Sequence, residues 1–195
     1  KLGFQIDAKT AAPMAGLADN LALVSAPRFF DESLKLFMGG QGLATYRLLQ
    51  EHAFVDYIVP DLNACLQRDP IAERLIEQAF INTDLRVRSL KRVTPAFIYA
   101  ALLWPAVAQR SKEYREQGDA PLSALRRAAD NALSRQITVT AIPKRFSIPM
   151  REIWELQLSL PRRAGARAER LCSHPRFRAA YDFVLLREES GEDLD

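Results

Sequence analysis

Glycine, cysteine and histidine are all scarce in this 195-residue chain, with eight, two and two respectively. So few glycines argue against a glycine-turned β-protein and against a glycine-rich dinucleotide-binding fold. Cys65 and Cys172 lie far apart, which gives no disulfide framework; reduced thiols in a cytoplasmic protein are the expectation. Neither His52 nor His174 has a second His or Cys at ligand spacing, so each reads as a packed or capping imidazole rather than a metal ligand. The adjacent His-Asp pair of helical phosphohydrolases is missing too. Long apolar runs are absent: the longest, residues 95–108, is interrupted by Trp104-Pro105 and reads as a buried helix, short of the roughly eighteen residues of a membrane span. Strict apolar–polar alternation, the mark of half-buried strands, is nearly absent. The first residues show no signal-peptide pattern and no methionine. Lys1-Leu2-Gly3-Phe4 reads as the end of a helix begun upstream, so a fragment of a longer protein is expected.

What is present is helical spacing almost throughout. Apolar content of 48% and charged content of 26% suit a globular domain. Ser25 with Pro27 opens a helix through Phe29, Phe30, Leu34 and Phe37, stopped by Gly39-Gly40. Leu43, Tyr46 and Leu49 mark the next. Asp69-Pro70 and Thr94-Pro95 are start signals, with Pro105 expected to kink or restart the second of these helices. Pro121 opens another, and Ser147 with Pro149 a further one. A short helix over 167–171 and a last one burying Phe177, Tyr181, Val184 and Leu185 follow. The spacing predicts an all-α body of about nine helices joined by short loops. It divides into a first helical region at 1–60, which the resemblance given below makes neck-like, a helical body at 61–141, a basic helical segment at 142–187 and an acidic, disordered tail at 188–195.

Charge is distributed unevenly. Residues 144–187 hold ten Lys/Arg against four Asp/Glu, whereas 188–195 hold five acids and no base. Arginine and lysine make the phosphate contacts that dominate nucleic-acid affinity, and interleaved aromatics can stack on unpaired bases. The candidate phosphate-contacting residues are therefore Arg86, Arg88, Lys91 and Arg92 in an expected exposed loop, and Lys144, Arg145, Arg151, Arg162, Arg163, Arg167, Arg170, Arg176 and Arg178; the resemblance given below makes RNA their expected partner. Phe146, Trp154, Phe177 and Tyr181 fall at helical spacing and read first as core. Arg28 stands one helical turn before Asp31 and Glu32, a spacing suited to an ion pair. Nothing reads as a catalytic centre. Gly39-Gly40-Gln41-Gly42 lacks the lysine of a phosphate loop, Cys65 and Cys172 lack a partner base, and Asp193-Leu194-Asp195 has no sheet to hold it.

Several motifs resemble a known family. Lys1-Leu2-Gly3-Phe4-Gln5-Ile6-Asp7 with Thr10, then Arg28-Phe29-Phe30-Asp31-Glu32-Ser33-Leu34-Lys35-Leu36-Phe37 with Gly42 and Leu48-Leu49, are similar to the segment shared by bacterial poly(A) polymerases and tRNA CCA-adding enzymes. Ile76-Glu77-Gln78, Asn82-Thr83-Asp84, Pro95-Ala96-Phe97, Ile142-Pro143-Lys144-Arg145, Ile153-Trp154-Glu155-Leu156-Gln157 and the run from His174 to Asp182 resemble the poly(A) polymerase branch. The resemblance implies a helical neck and body that guide RNA toward an N-terminal nucleotidyltransferase head, with Arg28, Asp31 and Glu32 bracing the neck. In that family the head binds ATP and two Mg²⁺ and adds AMP to RNA 3′ ends. The head's signature is not in this sequence, and neither is the family's basic tail. The expectation is thus an inactive, cytoplasmic RNA-binding portion with no catalytic residue, metal or cofactor of its own, meeting neither DNA nor membrane. The alternatives are the body of a CCA-adding enzyme or a helical protein-interaction module.

Overall fold

The computed structural model describes residues 5–160, 169 and 171–194. Among these the chain is helical and forms no strand. A four-residue turn of helix, α1 (Ala8–Ala11), and a 3₁₀ helix (Ala15–Leu23) lead into α2 (Ala26–Phe37), α3 (Gly42–Glu51), α4 (Val55–Ile58) and α5 (Leu62–Arg68). The longer helices follow: α6 (Pro70–Arg88), α7 (Pro95–Glu116), α8 (Pro121–Val139), α9 (Lys144–Gln157) and α10 (Phe177–Glu189). Nine of these eleven elements have seven residues or more, as the spacing predicts.

The start signals act through capping. Asp69 accepts a hydrogen bond from the Ile71 amide at 2.8 Å, and the Thr94 hydroxyl accepts from Phe97 at 3.4 Å. Each satisfies an amide that has no partner inside its own helix. Helix α7 is the centre of the fold. Its residues Ile98, Tyr99, Ala100, Ala101, Leu102, Leu103 and Trp104 are all buried, so the helix has no wet face there. It packs against α5, α6, α8 and α9. Helix α8 buries the small side chains Ala124, Ala128 and Ala132. One buried cluster draws on residues from Phe29 to Leu186. Trp154 of α9 is fully buried in it and donates its indole N–H to the Ala100 carbonyl at 3.1 Å.

Several expectations are corrected. Pro105 does not restart a helix; α7 runs unbroken from Pro95 to Glu116, because burial on all sides outweighs one lost backbone bond. Helix α9 begins at Lys144 rather than near Ser147, its first turn closed by the Phe146 and Ser147 amides on the Pro143 carbonyl, and Pro149 lies inside it. Arg86 and Arg88 belong to the last turn of α6, not to a loop. In α10 the buried side chains are Ala180, Phe183, Val184 and Leu186, whereas Tyr181 and Leu185 are exposed. The acidic end is not disordered through residue 192. Helix α10 extends to Glu189, Arg74 donates to the buried Ser190 carbonyl at 2.8 Å, and Arg187 grips both carboxylate oxygens of Glu192. The expected break at 161–164 and most of the helix at 167–171 fall outside the described residues. No helix among the described residues is long and apolar enough to cross a membrane.

Candidate nucleic-acid interface

Three helix beginnings and one helix end meet at a single cleft of about 610 Å³. The last turns of α6 bring Arg86, and the connection to α7 brings Arg92. The first turn of α9 brings Arg145 and Phe146, and the start of α10 brings Arg176 and Arg178. Thus the two basic clusters, more than fifty residues apart in sequence, share one wall-lined space. Helix starts carry partial positive charge, which adds to the arginines. Two carboxylates, Asp182 and Glu189, also line the cleft.

The arginines differ in how they are held. Arg86 donates through Nε and Nη2 to the Arg92 carbonyl at 3.3 and 3.2 Å, which ties the connection to the helix end. Arg176 donates to Glu152 at 3.0 Å and Arg178 to Asp182 at 2.9 Å. Among the described residues no carboxylate is ion-paired with Arg86, Arg92 or Arg145. The Arg145 guanidinium lies 5.0 Å from the Phe146 ring centre. His174 acts within its own turn: its Nδ1 accepts from the Arg176 amide at 3.1 Å and sets the turn that presents Arg176. His52 caps the end of α3.

Other candidates fall elsewhere. Arg88 donates twice to the Gly40 carbonyl, at 3.3 and 3.1 Å, and Arg151 pairs with Asp130. Lys91 and Lys144 are exposed but do not line the cleft. Arg162, Arg163, Arg167 and Arg170 lie outside the described residues. The expected bridge from Arg28 to Asp31 or Glu32 is not formed. Glu32 accepts instead from Lys35 at 2.7 Å, and that hydrogen bond, assisted by the charges of Lys35 and Arg28, holds its carboxyl below the usual range. A three-residue separation serves Lys35 as well as Arg28, so spacing alone did not choose between them.

Phe97, Asn82, Thr94 and Leu185 are cleft residues that charge counting missed. A signal was available, since Asn82-Thr83-Asp84 and Pro95-Ala96-Phe97 are both among the family-like motifs. Asp84 itself is buried and reaches α3: its oxygens accept from the amides of Gly42 at 2.7 Å and Leu43 at 3.1 Å. Cys65 is buried, and burial pushes its thiol above the ordinary value; Cys172 is exposed. Among the described residues no three His, Cys, Asp or Glu side chains gather where a metal ion could be held.

Fold and cleft together define an all-α body with an arginine-lined cleft among the described residues. Residues 117–195 match a family model described as "Polymerase A arginine-rich C-terminus", and residues 3–66 match "Probable RNA and SrmB- binding site of polymerase A". Poly(A) polymerase I of Escherichia coli is 41% identical over 192 residues, spanning 97% of this chain and 41% of that protein. The Salmonella typhi protein of the same name is 39% identical over the same shares. That of Haemophilus influenzae is 34% identical over 200 residues, spanning all of this chain and 44% of the relative. The chain belongs to the bacterial poly(A) polymerase family. It spans about two fifths of the length of the relatives it matches.

Proposed function

We propose that this chain is the RNA-holding body of a bacterial polynucleotide adenylyltransferase, which adds AMP from ATP to RNA 3′ ends. The observation that supports it is the convergence of Arg86, Arg92, Arg145, Arg176 and Arg178 on one cleft. Their role is to bind and orient RNA by its phosphates, with little sequence preference, while adenylyl transfer belongs to a nucleotidyltransferase head outside these 195 residues. Among the described residues no carboxylate cluster fits a Mg²⁺ site, and the proposal assigns ATP and Mg²⁺ to that head. Alone, these residues bind and do not react.

Filter binding of oligo(A) across salt concentration tests this. A single-stranded ligand loses about 0.7 of log–log slope for each phosphate contact removed. Arg92→Ala and Arg145→Ala should each flatten the slope by about that amount. Absent binding, or affinity indifferent to salt, would refute the proposal. Preference for folded tRNA over oligo(A) would favour a CCA-adding body instead.

A further inference from the structure

A surface that only gripped phosphates would not need an apolar floor, yet the arginine-rimmed cleft has one. Phe97, Phe146, Pro149 and Ile153 lie beneath the rim, and Leu85 and Leu185 remain exposed at its edge. Phe146 is half-buried, with Phe30 packed behind it at 5.9 Å between ring centres; Phe97 is likewise half-buried, backed edge-on by Phe183 at 5.8 Å. Each ring is thus fixed by the core while still lining the cleft. Arg145 over Phe146 adds a guanidinium, a group on which nucleobases also stack. The volume lies within the range of sites that enclose small ligands.

Resting on the RNA-binding reading above, we propose that this cleft is a nucleotide subsite: it takes an unstacked base of the bound strand on its Phe97–Phe146 floor, with the adjoining phosphates on Arg86, Arg92 and Arg145. These three arginines are the ones without an ion-paired carboxylate among the described residues, so their charge is available to the phosphates. An acidic peptide would satisfy the same arginines. It would leave the aromatic floor without a planar partner, which is why a nucleotide fits better.

The test compares short oligo(A) with an abasic oligonucleotide of the same length and backbone charge, on the full polypeptide that carries this chain. Base stacking on an aromatic surface is worth about tenfold in affinity. Oligo(A) should therefore bind about tenfold more tightly than the abasic strand. Ala179→Trp, which fills the cleft without replacing an arginine, should erase that difference and leave the salt slope unchanged. Leu185→Trp, at an exposed edge position, serves the same purpose should Ala179→Trp not fold, with circular dichroism reporting the fold. Equal binding of the two strands by the unaltered protein overturns the subsite and leaves RNA binding intact. Binding of neither strand overturns the RNA reading as well. Poly-glutamate bound as tightly as oligo(A), and lost in Leu185→Trp, overturns the nucleotide in favour of a protein partner.

Discussion

Replacing Asp84 should destabilise the chain more than any surface change, and the reason lies in α3. The first amides of a helix have no partner within it. At α3 the neighbouring residue, Gln41, makes no side-chain cap. Asp84, far along the sequence on α6, supplies the missing acceptor for both Gly42 and Leu43. Hydrogen bonds to a charged acceptor contribute about 1.5–3 kcal/mol each, and the carboxylate is only 5% exposed. Asp84→Ala leaves two amides poorly satisfied at a crowded position, a loss of about 3 kcal/mol. Asp84→Asn keeps one acceptor and should lose about half as much.

Gly42 is the counterpart of Asp84. A methyl group there would come within 2.7 Å of the Phe37 carbonyl and 2.8 Å of the Phe80 ring, and a backbone carbonyl in a helix end cannot move aside. Gly42→Ala should cost about 1–3 kcal/mol as overpacking. The two effects share one contact, so the double variant should lose less than the sum. Urea unfolding followed by circular dichroism measures the four variants against the unaltered protein. A loss below about 1 kcal/mol for Asp84→Ala, against the few expected from two charge-assisted bonds, would refute the capping argument.

Tyr46 has a buried hydroxyl that meets no hydrogen-bond partner among the described residues, so Tyr46→Phe should leave stability near neutral pH unchanged or raised. Burial, followed by the charges of Glu73 and Glu77, pushes this hydroxyl well above the ordinary tyrosine value. The folded chain therefore keeps its proton while the unfolded chain releases it above about pH 10; stability is full below that pH and falls above it, and Tyr46→Phe should flatten the fall in urea titrations. Cys172 should react with a thiol reagent in the folded protein and Cys65 only after denaturant is added, as absorbance of the released label would show. Asp182→Asn should tighten oligo(A) binding up to about fivefold in filter assays by freeing Arg178; weaker binding would refute a phosphate role for that arginine.

The helices were legible because their starts are chemical: Asp69-Pro70, Thr94-Pro95 and Pro121 each mark one in the sequence and begin one in the structure. Prolines were harder to read inside helices. Pro105 and Pro149 look like boundaries, yet burial of Trp104, Met150 and Trp154 around them sustains the helix. In α10 the stripe beginning at Phe177 placed Val184 correctly and Tyr181 and Leu185 wrongly. That helix packs on both α6 and α9, and a contact on two sides shifts the buried arc onto Phe183 and Leu186. The acidic end read as disordered because it has five acids and no apolar face; it is held instead by Arg187, which pairs with Glu192, and by Arg74, which binds its backbone from α6. Arginine content pointed to the cleft, but its aromatic floor could be found only by folding Phe97 and Phe146 together.

Charge counting along the chain overstated the imbalance of the basic block in one respect and missed its use in another. Asp130, Glu152 and Asp182 pair with Arg151, Arg176 and Arg178, the first of these acids coming from α8, outside the block. These pairs are substantially exposed: the Arg178 side chain is 82% accessible. Exposed pairs of this kind contribute no more than about 1 kcal/mol each. A phosphate can therefore displace the carboxylate at little cost, while the same carboxylate keeps the arginine oriented when no strand is bound. Arg86, Arg92 and Arg145 need no such exchange. The cleft thus holds two kinds of cation among the described residues, one without an ion-paired carboxylate and one in an exposed pair that a phosphate would have to displace. On the proposed RNA-holding role, such a site would hold a strand firmly at low salt and let it slide as contacts exchange.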